Sequence, residues 1–358
     1  MAGPVPVLFS FACTTWYSKP DASVMRRIQG IREENDVKRR TLIVGAALAV
    51  AGMSYGAAGR AEAWPQRPVR LVVPQAGGTG NDVLARALAE ALGKRWGRSV
   101  VVENRPGANG VLAINYVLQQ PADGYTLFFA GVSNLAFNPF LYPSLPYVPQ
   151  RDLAGVAMLA NSPFVLVVAP AMHATSFAEF VRLAKARPGG ISYASGGIGN
   201  STHLAMELVA ERAGIKLQHV PFNGAGGSTS LMSGETPAMM NVLAGVQPYI
   251  TGKKLVPLAV TGERRLAALP DVPTFKELGY DVAVPGWYAI VARSGTPAPL
   301  VRKINADIDA AMDEPAFKDK LANQFLEPIK GPPDEVQRYM QRDAQAWGPL
   351  IRKLGIAL

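Results

Sequence analysis

Hydrophobic and polar positions along this chain alternate between two spacings, one for each kind of secondary structure. "RPVRLVVP" (Arg67 to Pro74) is a short apolar, β-branched run closed by proline, which predicts a buried strand. "DVLARALAEALGKRWG" follows, with Leu84, Leu88, Leu92 and Trp96 four residues apart on one drifting face and Gly97 at its end, which predicts a helix. "SVVVENRP" reads as a strand, "GANGVLAINYVLQQ" as a helix and "YTLFFAG" as a third strand. Strand, helix, strand, helix, strand predicts a parallel sheet covered on both faces.

After Asn161 the pattern repeats. "FVLVVAP", "ISYAS" and "LQHVPF" read as strands, separated by the helical runs "SFAEFVRLAKARPG" and "THLAMELVAERAG". "GGSTSLMSGE" opens a further helix, and "PAMMNVL" and "KLVPLAVTG" supply more strands. Two long amphipathic runs, "APLVRKINADIDAAMDEPAFKDKLANQ" and "PDEVQRYMQRDAQAWGPLIRKLG", close the chain and must pack back on what precedes them. The pattern predicts two α/β lobes with the chain crossing between them more than once. In such open sheets, ligands bind at the carboxyl ends of the strands.

Composition narrows the class. The chain has 358 residues, 49% hydrophobic, enough to bury a sizeable core. "KRR" (Lys38 to Arg40), the apolar run "TLIVGAALAVAGM" and "AEA" (Ala61 to Ala63) form a secretory signal with predicted cleavage after Ala63, leaving Trp64 first. Arg39 and Arg40 fit an ordinary secretory route better than a twin-arginine one. The long, mixed segment before them suggests that translation starts at Met25 or later. The single cysteine, Cys13, is lost with this segment, which excludes disulfides, thiol nucleophiles and thiolate metal sites from the mature protein. His173, His203 and His219 are spaced too irregularly for zinc. Neither a metal nor a cofactor is expected. Removing residues 1–63 lowers the net charge from +9 to +6, with no Lys/Arg block, so nucleic acid is not an expected partner. A mild positive field favours small anions.

Three loops share the design strand, small polar loop, helix: "GGTGND" (Gly77 to Asp82), "AGVSNLAFNP" with Ser133 and Asn134, and "SGGIGNST" (Ser195 to Thr202). A helix N-terminus offers unpaired N–H groups and about half a positive charge, which suits a carboxylate or phosphate. Asn81, Asp82, Ser201 and Thr202 also serve as ordinary N-caps, each worth about 1 kcal/mol. A serine hydrolase using Ser195 or Ser201 with His203 is the rival reading. It lacks a Gly-x-Ser-x-Gly elbow and an identifiable acid, and residues 201 and 203 point in different directions at a helix start. Phosphate-loop and dinucleotide spacings are absent too. A third reading is a scaffold whose cleft is vestigial.

A set of motifs in one order carries a resemblance: "WPQRPVRLVVPQAGGTGNDVLAR", "VVVENRPGANG", "ADGYTLFFAG", "NPFLY", "YASGGIGNSTHLAMEL", "HVPFNG", "LAVTGERRLAALPDVPTFKELGY" and "GTPAPLVRKIN". The chain resembles the Bug family, the tripartite tricarboxylate transporter substrate-binding (TctC-like) proteins, over nearly all of Trp64 to Leu358. The resemblance implies a two-lobed type II periplasmic binding protein fold of the α/β class, each lobe a mixed, mainly parallel sheet flanked by helices. It implies lobe 1 at 64–165 plus 287–358, lobe 2 at 166–286, and a small carboxylate, amino acid or amide bound in the cleft between them. The matching positions are Gly77, Gly78, Thr79, Asn81 and Asp82; Ser133 and Asn134; and Ser195, Gly196, Gly199, Asn200, Ser201 and Thr202.

Two departures from the family pattern sit near that cleft. Phe222-Asn223-Gly224 stands where members often carry aromatic-Lys-Gly, and Asn241 where they often carry Asp. Phe222 and Asn241 therefore join the expected site, with a polarity that weighs against an ammonium-bearing ligand; Asp82 remains as an acid that could meet one. The expectation is a monomeric receptor, not an enzyme. It would hand its ligand to membrane permease subunits of a tripartite tricarboxylate-type transporter or to a sensor kinase.

Overall fold

The computed structural model describes residues 21–23, 64–222, 226–282 and 286–358. The expected signal at residues 38–63, Cys13, Met25 and Asn223 lie outside the described residues. Pro65–Leu358 forms one compact unit, distinct from Met1–Trp64.

Two mixed sheets organise that unit. The first contains β1 (Val69–Val73), β2 (Val100–Asn104), β3 (Thr126–Gly131), β4 (Leu153–Ser162), β10 (Gly286–Arg293) and β11 (Glu327–Pro328), in the order β11-β4-β10-β3-β1-β2. The second contains β5 (Phe164–Val168), β6 (Ile191–Ser195), β7 (Leu217–Pro221), β8 (Ala238–Val242) and β9 (Val256–Val260), in the order β7-β6-β8-β5-β9. Pairing is parallel in β2-β1-β3 and β7-β6-β8. It is antiparallel where β10 meets β3 and β4, and where β5 meets β8 and β9.

The longer helices among the described residues are α1 (Gly80–Trp96), α2 (Val111–Leu118), α3 (Phe177–Lys185), α4 (Ser201–Ala213), α5 (Gly226–Ser233), α6 (Leu243–Thr251), α7 (Ala298–Met312), α8 (Pro315–Asn323) and α9 (Asp334–Leu354). α1 shows why the sequence folds this way. Thr79 caps its N-terminus, Gly97 ends it at φ 60°, and Leu84, Leu88 and Leu92 are buried on one face. Burying each such leucine stabilises the packing by about 1.5–3 kcal/mol.

The long run from Ala298 onward breaks into two helices. Pro315 has no N–H and forces Glu314 into extended backbone (φ −62°, ψ 132°), so α7 stops at Met312 and α8 restarts at the proline. Strands β4 and β10 and helix α6 carry no expectation above, yet the two strands sit side by side within the first sheet.

These strands also carry the chain between sheets. β4 ends at Ser162, Pro163 intervenes, and β5 opens the other sheet at Phe164. Phe164 and Thr261 lock this crossing: the Phe164 N–H donates to Thr261 Oγ1 and the Thr261 N–H to the Phe164 carbonyl, both at 3.0 Å. The return passes Gly286, where a Cβ would stand 2.9 Å from the Phe164 ring, so glycine permits the close approach. α9 then packs across the first sheet, its Trp347 ring 5.0 Å from that of Phe137. Its buried Asp343 accepts from the Trp287 indole N–H at 2.6 Å.

Candidate ligand-binding cleft

The carboxyl ends of β1, β3, β6 and β8 open on one cavity of about 670 Å³, a volume suited to a small molecule. β1 and β6 lead through small polar loops into helices, and β3 and β8 run almost directly into helical segments. Thr79 and Asn81 line the cavity from the β1–α1 loop, Ser133 and Asn134 from the end of β3, and Gly196, Asn200, Ser201 and Thr202 from the β6–α4 loop. Asn241 lines it from β8.

Helix starts face this space. Thr79 Oγ1 accepts from the Asp82 N–H at 3.4 Å, and the first turn bond runs from the Val83 N–H to the Thr79 carbonyl at 3.0 Å. The N–H groups of Gly80 and Asn81 precede that bond and point toward the cavity end of α1. At α4, Asn200 Oδ1 accepts from the Thr202 N–H at 2.9 Å and from Thr202 Oγ1 at 3.0 Å, while Thr202 Oγ1 accepts from the Gly196 N–H at 3.0 Å. α6 starts at the same cavity without a side-chain cap on its N-cap residue, Val242, whose N–H donates to Asn241 Oδ1 at 2.8 Å. Among the described residues, the lining contains no Asp, Glu, Lys, Arg or His.

The remaining expected residues stand behind the lining. Gly77 is exposed and Gly78 adopts φ +82°. Gly78 does not offer its N–H to the cavity; it donates to Asp82 Oδ2 at 2.9 Å. Asp82 is buried and fully engaged, accepting also from Arg86 Nε at 2.9 Å and Asn104 Nδ2 at 2.9 Å. The Arg86 hydrogen bond, above all, holds its carboxyl down at about 2. The acid expected to meet a ligand amine therefore braces the β1–α1 loop from behind. Phe222 packs into the apolar cluster around Leu231 and Met239, and its N–H donates to the Ser195 carbonyl at 3.1 Å.

Ser195 and Gly199 belong to a buried column beneath the β6–α4 loop. Ser195 Oγ is 2.6 Å from His219 Nε2 and accepts from the Gly197 N–H at 3.0 Å. His203 Nδ1 accepts from the Gly199 N–H at 3.0 Å, so it carries no proton there. Burial pushes His203 down to about 3, helped by His219, and His219 down to about 4. Both rings are neutral near pH 7. Tyr193 stacks on His219 and donates to Glu207, whose pKa burial raises. His203 thus supports the loop from within, and the serine that meets an imidazole is Ser195, through His219. The parallel register places Tyr193 beside His219, which no local pattern around residue 219 announces.

Several lining residues lie outside the expected set: Gln75, the Gly107–Gly110 turn, Ser162, Ser228, Tyr288 and Gln324. The turn is unusual, because Gly107, Ala108, Asn109 and Gly110 all have positive φ. Asn134 and Asn138 hold it in this conformation, both donating from Nδ2 to the Asn109 carbonyl, at 2.7 and 3.2 Å. Glycine flanks the turn by necessity: a Cβ on Gly110 would stand 2.3 Å from Asn134 Nδ2. "GANG", expected above as the start of a helix, is this left-handed turn instead, because its four positive-φ residues cannot continue a right-handed helix and α2 begins only at Val111. Gln324 carried no sign in the sequence.

Residues 84–356 match the family described as the tripartite tricarboxylate transporter family receptor, TctC. The chain belongs to the TctC family. Protein BugT of Bordetella pertussis is 33% identical over 327 residues, covering 90% of this chain and 99% of BugT. Among solved TctC-like structures, Rpa4515 of R. palustris, determined with adipate, is 31% identical with a TM-score of 0.76, over 82% of this chain and 99% of that one. MatC from Rhodopseudomonas palustris, determined with bound malate, is 26% identical with a TM-score of 0.73, over 80% of this chain and 100% of that one. The two-lobed periplasmic binding protein fold and the solute-binding family are therefore shared. No helix of the described residues is long and apolar enough to cross a membrane.

Proposed function

We propose that this TctC receptor captures a small carboxylate in the periplasm and presents it to the permease of a tripartite tricarboxylate-type transporter. A sensor kinase is the alternative recipient. One observation carries the reading: α1 and α4, from different sheets, begin at one cavity with no ionised side chain among its described lining. An anion there is held by N–H groups, hydroxyls and amides, the arrangement that helix termini provide. The adipate and malate of the relatives support the same ligand class.

Magnitudes require cooperation. A micromolar ligand needs about −8 kcal/mol, and one helix terminus supplies about 0.3–2 kcal/mol. Several donors must therefore act together with water exclusion as two lobes, 64–165 plus 287–358 and 166–286, close. Cleavage after Ala63 and action without metal or cofactor complete the proposal. The experiment is a thermal-shift screen of carboxylates, amino acids and aromatic acids on protein refolded to strip carried-over ligand. At one hundred times its dissociation constant a ligand adds about 2.7 kcal/mol, enough to move the midpoint by several degrees. A panel of acids with no shift contradicts the reading.

The 2.6 Å approach of Ser195 Oγ to His219 Nε2 favours a second reading, an exported serine hydrolase. Against it, Ser195 is fully buried behind the loop and is absent from the cleft lining. Labelling of Ser195 by a fluorophosphonate probe would support hydrolysis; a receptor stays unlabelled.

A further inference from the structure

Several amide side chains line the cleft. Asn134, Asn200 and Asn241 are engaged by the protein, as described above or, for Asn241 Nδ2, through a 3.3 Å hydrogen bond to Ser228 Oγ. Gln75 and Gln324 differ. Gln75 Oε1 and Gln324 Nε2 are both buried, and neither has a hydrogen-bond partner. Both residues line the cleft. They also share one end of it: Gln75 lies in the β1–α1 loop, and Gln324 Oε1 is 3.2 Å from where a Cβ on Gly80, the first residue of α1, would stand.

A buried polar atom left unpaired is destabilising, so native structures rarely keep one without a use. The terminal torsion of glutamine is broad, and a small rotation turns either amide toward the cleft. Each amide carries a carbonyl acceptor and N–H donors, and the cavity lining beside them holds no charged side chain among the described residues. An ionised carboxylate is acceptor-only. It can take N–H donors from both glutamines but leaves their carbonyl oxygens without a donor. A carboxamide or hydroxyl, which both donates and accepts, satisfies both.

We propose that Gln75 and Gln324 form a neutral subsite for the second polar end of the ligand, so that the receptor prefers a carboxylate bearing an uncharged carboxamide or hydroxyl over a dicarboxylate of equal length. This rests on the carboxylate reading of the cleft. The charged end of the ligand then lies toward Asn200, Ser201 and Thr202 at the start of α4. The α1 terminus, with Gln324, receives the carbonyl or hydroxyl oxygen of the neutral end, and Gln75 Oε1 receives its N–H or O–H. The preference sets this chain apart from the adipate-bound and malate-bound relatives, whose ligands each carry two carboxyl groups.

Calorimetric titration of the ligand-stripped protein with succinate against succinamate, glutarate against glutaramate, and butyrate and valerate as single-ended references tests it. The expected result is at least tenfold tighter binding of one monoamide than of its matching dicarboxylate. Gln75→Met and Gln324→Met, near-isosteric and checked by unchanged melting, should reduce that ratio below threefold while leaving the reference acids within twofold. Equal or tighter binding of the dicarboxylates by the unaltered protein overturns the neutral subsite and leaves the carboxylate reading standing. Failure of every probe, butyrate and valerate included, overturns both.

Discussion

His203 and His219 stack face to face beneath the β6–α4 loop, with ring centroids 3.7 Å apart and planes 11° from parallel. Burial away from water lowers both pKa values, and the neighbouring His219 adds to the fall at His203. The neutral forms have structural work: His203 Nδ1 takes the Gly199 N–H and His219 meets Ser195 Oγ.

A pH dependence follows from this pair. Folded values of about 3 and about 4 lie below the ordinary 6.5, so between those limits the unfolded chain binds more protons than the folded one. Stability should fall as the pH drops from 6.5 toward 4, by up to about 2 kcal/mol at pH 5 from His203 alone, at about 1.4 kcal/mol per unit. His219, at about 4, adds a similar slope down to pH 5 and levels off sooner below it. Glu207, whose pKa is raised, has the opposite sign and is stabilising on the acid side. Guanidinium unfolding midpoints at pH 7, 6 and 5 measure the net slope, which His219→Gln should flatten. A slope unchanged in that variant contradicts the account.

Asp82 braces rather than binds. Asp82→Ala removes the acceptor for the Gly78 N–H, Arg86 and Asn104. Leaving those donors near a buried site should destabilise the protein by about 1–3 kcal/mol. Ligand affinity should weaken for every acid alike, because the whole loop loosens. A selective loss for amine-bearing ligands, seen in calorimetry, would instead restore Asp82 as a ligand contact.

Two glycines offer a matched comparison. Gly110 and Gly234 have φ of +88° and +79°, but a Cβ on Gly110 meets Asn134 Nδ2 at 2.3 Å whereas one on Gly234 meets nothing within 4 Å. Gly234→Ala should cost about 1 kcal/mol from backbone strain alone. Gly110→Ala should cost clearly more and weaken binding, because it displaces the side chain that holds the Asn109 turn. Equal thermal shifts for the two variants would deny the turn its role in shaping the cleft.

Asn241→Asp places a negative charge in a lining that has none. At an effective dielectric of 20, a charge about 5 Å from a carboxylate opposes it by about 3 kcal/mol. The variant should bind anionic ligands at least tenfold more weakly while melting within a few degrees of the unaltered protein. Undiminished affinity in calorimetry would mean that the ligand's charge lies elsewhere.

The sequence was most legible where causes are local. Gly97 and Gly214 end helices in left-handed backbone, as glycines in those places predict, whereas the N-caps are Thr79 and Asn200 rather than the expected Asn81, Asp82, Ser201 or Thr202, which lie inside the first turns. Strand β4, "LAGVAMLANS", is rich in alanine and glycine and carries little strand propensity, so its place in the sheet is set by packing. Strand β10 joins the first sheet only because the chain returns there from the second, a fact of topology. In the cleft, Gln324 reaches the start of α1 from more than two hundred residues away, and His219 reaches Ser195 across a strand pair. Asn241 lines the cleft, whereas Asp82, equally polar and equally near a loop, is turned inward by Arg86 and Asn104.

The central claim is an anion held between helix termini of two sheets. A crystal structure of the protein with the tightest acid from the screen tests it most directly. The account predicts the ligand's carboxylate oxygens within about 3.2 Å of the first-turn N–H or hydroxyl of Ser201, with its other end at Gly80 and Asn81. A carboxylate paired instead with an arginine or lysine side chain, or seated outside the cleft, would contradict it.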